Sequence, residues 1–157
     1  MNNMIEDLNI LFTKLLKAEV KKIDFKRDQY SLSNEHLKSE FTKDILCMAN
    51  APGEDGYILL GIKSEKGKPK DITGISHHHD SSDLEQLVNS IIEPPIHFEY
   101  YPHQYKRAEC ALIRIPSSSS RPHWPKKDYG VLKRHVFYTR RGSGNRDASM
   151  AEIRDMC

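Results

Sequence analysis

Apolar residues recur every three to four positions over residues 4–20. Ile5, Leu8, Leu11, Phe12, Leu15 and Leu16 form one stripe, and Lys14 and Lys17 fall off it. That period is the one an α-helix lays against a core, so an amphipathic helix is predicted here. The period then changes: in residues 22–27, Ile23 and Phe25 alternate with Asp24 and Lys26, as in a short strand with one buried face. Residues 28–33 are polar and turn-like. Helical spacing returns over 34–50, with Leu37, Phe41, Ile45 and Met48 on one stripe and Asn34 placed to cap it.

Residues 51–56 read as a loop, and the continuous apolar run 57–62 as a buried central strand. A charged turn over 63–69 and a short return strand over 71–75 follow. Ser82 and Glu85 have capping-box spacing and open a helix that Pro94-Pro95 stops. Residues 96–101 and 110–115 alternate as two strands of a hairpin around 102–108. Residues 116–130 hold three prolines and four consecutive serines and are predicted to be an exposed loop without regular structure. A further strand is expected over 135–140, then a glycine turn over 141–145, then a second capping box at Ser149 and Glu152. Strands that follow one another without intervening helices favour an α+β fold over a doubly wound one. The expectation is a single domain with a mixed, mostly antiparallel sheet flanked by helices. A chain of 157 residues has room for one core. The organisation expected is an N-terminal helix over 1–14 and one domain over 15–157.

Charge changes the picture more than composition does. The net charge is only +2, but residues 31–99 hold 6 Lys and Arg against 12 Asp and Glu, whereas 121–146 hold 8 against Asp128 alone. A basic block of that kind suits a polyanion. The three cysteines (Cys47, Cys110 and Cys157) include no C-x-x-C pair, which points to reduced thiols and away from a disulfide framework or structural zinc. No signal pattern and no run approaching ~20 apolar residues is present. A cytoplasmic protein with no membrane partner is expected.

Five constellations can carry chemistry. Glu19, Asp24 and Lys26 put two carboxylates near a lysine, the materials of a divalent-metal site with a cation for phosphate. Residues 49–53 and Gly56 form a tight corner, but a helix C-terminus presents carbonyls and disfavours anions, so a structural turn is the better reading. Arg140, Arg141, Ser143 and Arg146 combine forked donors and a hydroxyl with glycines that admit close approach, features suited to phosphate. Arg121, Trp124, Lys126, Lys127 and Tyr129 interleave aromatics with cations, as single-stranded nucleic acid requires: bases stack on rings while cations hold phosphates. His77, His78 and His79 are adjacent in a loop, where three side chains rarely face one ion.

These pieces together resemble the Schlafen-type AlbA-like domain family. The resemblance is carried by Glu19 with Ile23-Asp24-Phe25-Lys26, by Lys43-Asp44-Ile45 with Met48-Ala49-Asn50, by residues 56–62, and by Thr73-Gly74-Ile75. Ile113-Arg114-Ile115-Pro116 with Pro122, Phe137-Tyr138 with Arg140 and Gly142-Ser143, and Glu152-Ile153 continue it in the same order. It implies an α+β fold that binds RNA or DNA, often paired as a homodimer around a basic groove. It also implies a second activity, a metal-dependent endoribonuclease using Mg2+ or Mn2+. Carried over, that site would place Glu19 and Asp24 as metal ligands and Lys26 on the phosphate. The third acid position falls at Lys63 or Ser64, neither of them an acid, so Glu65 would have to fill in. Asp55 also stands where the family pairs a glycine with Gly56. These departures rank nucleic-acid binding above cleavage, with a protein-interaction or dimerisation module as the further alternative. No glycine-rich phosphate loop supports ATP binding.

Overall fold

The computed structural model describes residues 2–17 and 22–157, and side chains from Asp7 onward. Glu19, the first expected acid, and Ile5 on the first stripe therefore lie outside the described residues or side chains. The fold is α+β, and its residues fall into two compact units, each assembled from three separated stretches. No helix among the described residues is long and apolar enough to cross a membrane.

The first unit comprises Met1–Gln29, Tyr57–His78 and Glu99–Arg114. It contains α1 (Asn2–Leu16), β1 (Ile23–Lys26), β2 (Gly56–Leu60), β3 (Ile62–Glu65), β4 (Lys68–Ile72), β6 (Glu99–Tyr105) and β7 (Ala108–Ile115). Its main sheet has the order β1-β2-β7-β6 and is mixed: β1 and β2 run parallel, β6 and β7 antiparallel. Phe12 and Leu15 of α1 share one buried cluster with Phe25, Leu59, Ile62, Tyr105, Cys110 and Leu112. The alternation seen in 22–27 and the stripe of α1 are thus two views of the same core. The apolar run 57–62 is not one strand. It breaks at Gly61, which takes φ +93 and leaves no room for a side chain, since a Cβ there would sit 3.0 Å from the Gly74 Cα and 3.2 Å from Cys110 Sγ. The chain turns at Gly61 into the β3–β4 hairpin, which replaces the expected charged turn. β6 extends four residues beyond the expected strand, through Pro102. It tolerates that proline because it is the edge strand of its sheet.

The second unit comprises Tyr30–Gly56, His79–Phe98 and Ile115–Cys157. It contains α2 (Glu35–Asn50), α3 (Ser81–Ile91), β5 (Ile92–Glu93), β8 (Trp124–Pro125), β9 (Tyr138–Arg141), β10 (Gly144–Asp147) and α4 (Met150–Met156). Asn34 caps α2 as predicted, accepting from the Leu37 N–H at 2.8 Å. The stripe of α2 is buried at Phe41, Ile45 and Met48, and the Phe41 ring meets Tyr30 and Phe98 edge-on. The cap of α3 is Asp80, not Ser82: its carboxylate accepts from the Ser82 and Asp83 N–H groups, so the helix starts earlier than the capping-box spacing implied. The box at Ser149 and Glu152 forms in full.

Candidate nucleic-acid interface

Residues 116–130 were expected to form an exposed loop, but side chains of α2 hold down the basic segment 121–146 that this stretch opens. Asn50, fully buried at the last position of α2, accepts from the His123 N–H at 2.8 Å and donates to the carbonyls of His123 and Tyr138, both at 2.8 Å. One amide thereby fixes both His123 and Tyr138, using its NH2 donors and its carbonyl acceptor together. Ser39, also buried, accepts from the Val131 N–H at 2.9 Å. A side chain at neighbouring Gly130 would fall onto that serine. Within the expected loop, Trp124 and Pro125 form β8, a two-residue strand paired antiparallel with β5.

His123 is the buried anchor of this arrangement. Its Nδ1 lies 2.7 Å from the Pro94 carbonyl and its Nε2 2.7 Å from Ser118 Oγ. A carbonyl can only accept, so Nδ1 carries the proton and Nε2 accepts from the serine. Burial pushes the imidazole pKa down, opposed by the Pro94 hydrogen bond and aided by Arg121. Asp55, the departure from the family pattern, ties the serine run to the same corner by accepting from the Ser117 N–H at 2.9 Å.

The expected contact residues divide into anchors and exposed groups. Trp124 is an anchor: its indole N–H donates to Glu93 at 3.0 Å and its ring packs on Phe137. Arg121 donates to the Asn50 carbonyl at 3.4 Å. Arg140 is buried, its Nε donating to the Gly142 carbonyl at 3.0 Å. Lys126 and Lys127 are exposed, with the Lys126 ammonium 3.3 Å from the Asn89 carbonyl and that of Lys127 over the half-buried Tyr129 ring. Lys133 and Arg134, absent from the expected set, are exposed in the same segment. The expected glycine turn is a hairpin of β9 and β10 with Gly142-Ser143 at its tip; Gly142 takes φ +61, as the first position of a type II′ turn requires. Ser143 and Arg141 are exposed near that tip.

Arg146 and Arg141 reach the same carboxylate, Glu152, at 2.6 Å and 3.7 Å. Glu152 also accepts from the Ser149 N–H. That hydrogen bond first, and Arg146 second, hold its pKa down at about 2. The Glu-Ile pair opening α4 thus has a job: it caps the helix and steadies the arginine hairpin.

In the first unit, Asp24 and Lys26 close on each other at 3.3 Å. Glu65 pairs with Lys70 at 2.9 Å across the β3–β4 hairpin. The three histidines disperse: His77 contacts Ser76, His78 contacts Tyr100 and Glu109, and His79 contacts the Tyr30 carbonyl. Among the described residues no three His, Cys, Asp or Glu side chains converge as a metal site. The described donors by themselves make no divalent-ion site.

Residues 19–149 match the family profile described as Schlafen, AlbA_2. The chain shares its fold with the DIP2311 protein from Corynebacterium diphtheriae (TM-score 0.60, 17% identity), covering 96% of this chain and 28% of that one. It is also similar to the N-terminal domain of a protein from Nitrosomonas europaea described as ATP-dependent DNA helicase RecG-related. There the TM-score is 0.52 and the identity 18%, over 90% of this chain and 93% of that one. At these identities the likeness is one of fold. No curated protein sequence matches the chain.

Proposed function

Since the chain belongs to the Schlafen AlbA_2 family, we propose that it is a nucleic-acid-binding module whose contact surface is the segment 121–146. The observation that carries this reading is the clamped basic segment itself. Eight cations stand against Asp128 alone, and Lys126, Lys127, Lys133, Arg134 and Arg141 are exposed on a backbone fixed by Asn50 and Ser39. Fixing the backbone lowers the ordering cost of binding, and the cations hold phosphates. Tyr129, beside Lys127, is the ring placed to stack on a base, and Trp124 secures the segment from below. Support from outside the chain is modest and consistent: one fold relative is described as related to a DNA helicase.

The test is fluorescence anisotropy with labelled single-stranded RNA and DNA across a salt series, for the protein and for Lys126→Glu/Lys127→Glu/Arg141→Glu. Each phosphate contact on a single strand contributes about 0.7 to the log–log salt slope, so losing three should flatten it by roughly 2. An unchanged slope in the triple variant would remove the segment from the interface. The same samples, incubated with Mn2+ or EDTA and run on a gel, test the nuclease reading on Glu19, Asp24, Lys26 and Glu65. Metal-dependent cleavage abolished by Asp24→Ala would put that reading in place of binding alone.

A further inference from the structure

The first unit carries a cleft of about 560 Å³, within the range of small-ligand sites. It is lined by Asp28 and Gln29 after β1, by residues 73–77 after β4, and by residues 107–109 at the β6–β7 turn. Backbone hydrogen bonds fix these loops: the Thr73 and Gly74 N–H groups both donate to the Gly61 carbonyl, and the Ile75 N–H donates to the Glu109 carbonyl at 2.7 Å. The side chains are linked as well. Glu109 Oε1 lies 2.7 Å from His78 Nε2, and His78 Nδ1 lies 2.6 Å from the Tyr100 hydroxyl. Gln29 donates to that hydroxyl at 2.8 Å and to the His77 carbonyl at 3.1 Å. Glu109 is thus oriented by an imidazole that a phenol and an amide orient in turn, an arrangement that preorganises a carboxylate.

Arg107 is the second marked group. Lys106 and Arg107 occupy the two-residue loop between Tyr105 and Ala108 at φ +46 and +68. A type I′ turn of this kind favours Asn-Gly, and side chains as large as Lys and Arg are costly at positive φ. Local preference is broken at a residue that lines the cleft, and no acid among the described residues pairs with its guanidinium.

The lining carries two carboxylates, Asp28 and Glu109, against the one guanidinium. An anionic ligand is therefore disfavoured. A complementary group offers N–H donors to a carboxylate and acceptors to a forked guanidinium. Guanine has that edge: N1–H and the N2 amino group donate, while O6 and N7 accept. Adenine presents an acceptor at N1 where the carboxylate needs a donor.

We propose that this cleft takes an unpaired guanine base, with Glu109 accepting from N1–H and N2–H and Arg107 donating to O6 and N7. The inference rests on the nucleic-acid reading above and adds base preference to it. The test is NMR titration of the whole chain with guanosine, inosine and adenosine, alongside anisotropy with RNA oligomers carrying one unpaired G or A. Guanosine should bind roughly tenfold or more tighter than adenosine, with inosine weakened by its missing N2 amino group. Arg107→Gly removes the guanidinium while relieving the positive-φ cost, so it should fold at least as well and lose the preference. Glu109→Gln should lose it too. Equal binding of guanosine and adenosine, or a preference that survives both variants, would overturn the proposal. Salt-dependent oligomer binding without guanine preference would overturn the cleft and leave the basic segment standing. Guanosine binding without any oligomer shift would keep the cleft and overturn the basic segment.

Discussion

Polar side chains of the first unit close on one another: Asp24 with Lys26, Glu65 with Lys70, Glu99 with Arg114, and Glu109 with the His78 imidazole. In the second unit one carboxylate, Glu152, gathers Arg146 and Arg141, while lysines of the same basic segment stay at the surface. Exposed ion pairs stabilise a fold by about 0–1 kcal/mol each, so the contrast says little about stability. It bears on partners. Where charges are already paired, recognition rests on local geometry, as in the cleft beside Arg107. An unbalanced basic surface attracts polyanions at a distance and loses that attraction in salt.

The largest expected effect falls on what makes the second unit's surface rigid. Asn50→Ala leaves the His123 N–H and the His123 and Tyr138 carbonyls without their buried partner. A loss of about 3–5 kcal/mol in urea unfolding is expected. A loss below about 1 kcal/mol would mean that the segment is held by something else. Gly61→Ala is the counterpart in the first unit, where φ +93 and the Gly74 backbone oppose a methyl group. About 2–3 kcal/mol is expected, read as a fall in Tm.

A middle-sized effect comes from pH. Burial holds both His123 and His103 below their ordinary imidazole value. The unfolded chain then takes up protons near pH 6.5 while the folded one does not. The associated stability is present above that pH and lost as the pH falls through the lowered folded values, at up to about 1.4 kcal/mol per pH unit for each group. Urea midpoints at pH 7.5 and 5.5 check this, and a midpoint that does not fall would refute it. His103→Phe should flatten part of the fall, because it removes one of the two titrating imidazoles while keeping a ring beside Phe12 and Tyr105.

The smallest effect should leave both units intact. Burial drives the Cys47 thiol up to about 12 and the Cys110 thiol up to about 11, whereas Cys157 is exposed. Alkylation of the folded protein at neutral pH should label one thiol per chain, at Cys157. Fast labelling of a second would show one of the cores opening.

Features set by neighbours along the chain were legible in the sequence. The stripe of α2, its Asn34 cap and the Ser149–Glu152 box each depend on residues three or four positions apart, and each formed as expected. The charge imbalance over 121–146 is likewise a matter of composition, and the order of motifs carried the family. Tertiary structure decided the rest, because the groups concerned meet across tens of residues. Gly61 breaks an apolar run only because Gly74 and Cys110 arrive against it. Asn50, a polar residue ending a helix, becomes the clamp of the basic segment only when His123 and Tyr138 come within 2.8 Å. A local pattern states which face each element will bury; which polar groups are then trapped together, and must satisfy one another, is fixed only when the elements pack.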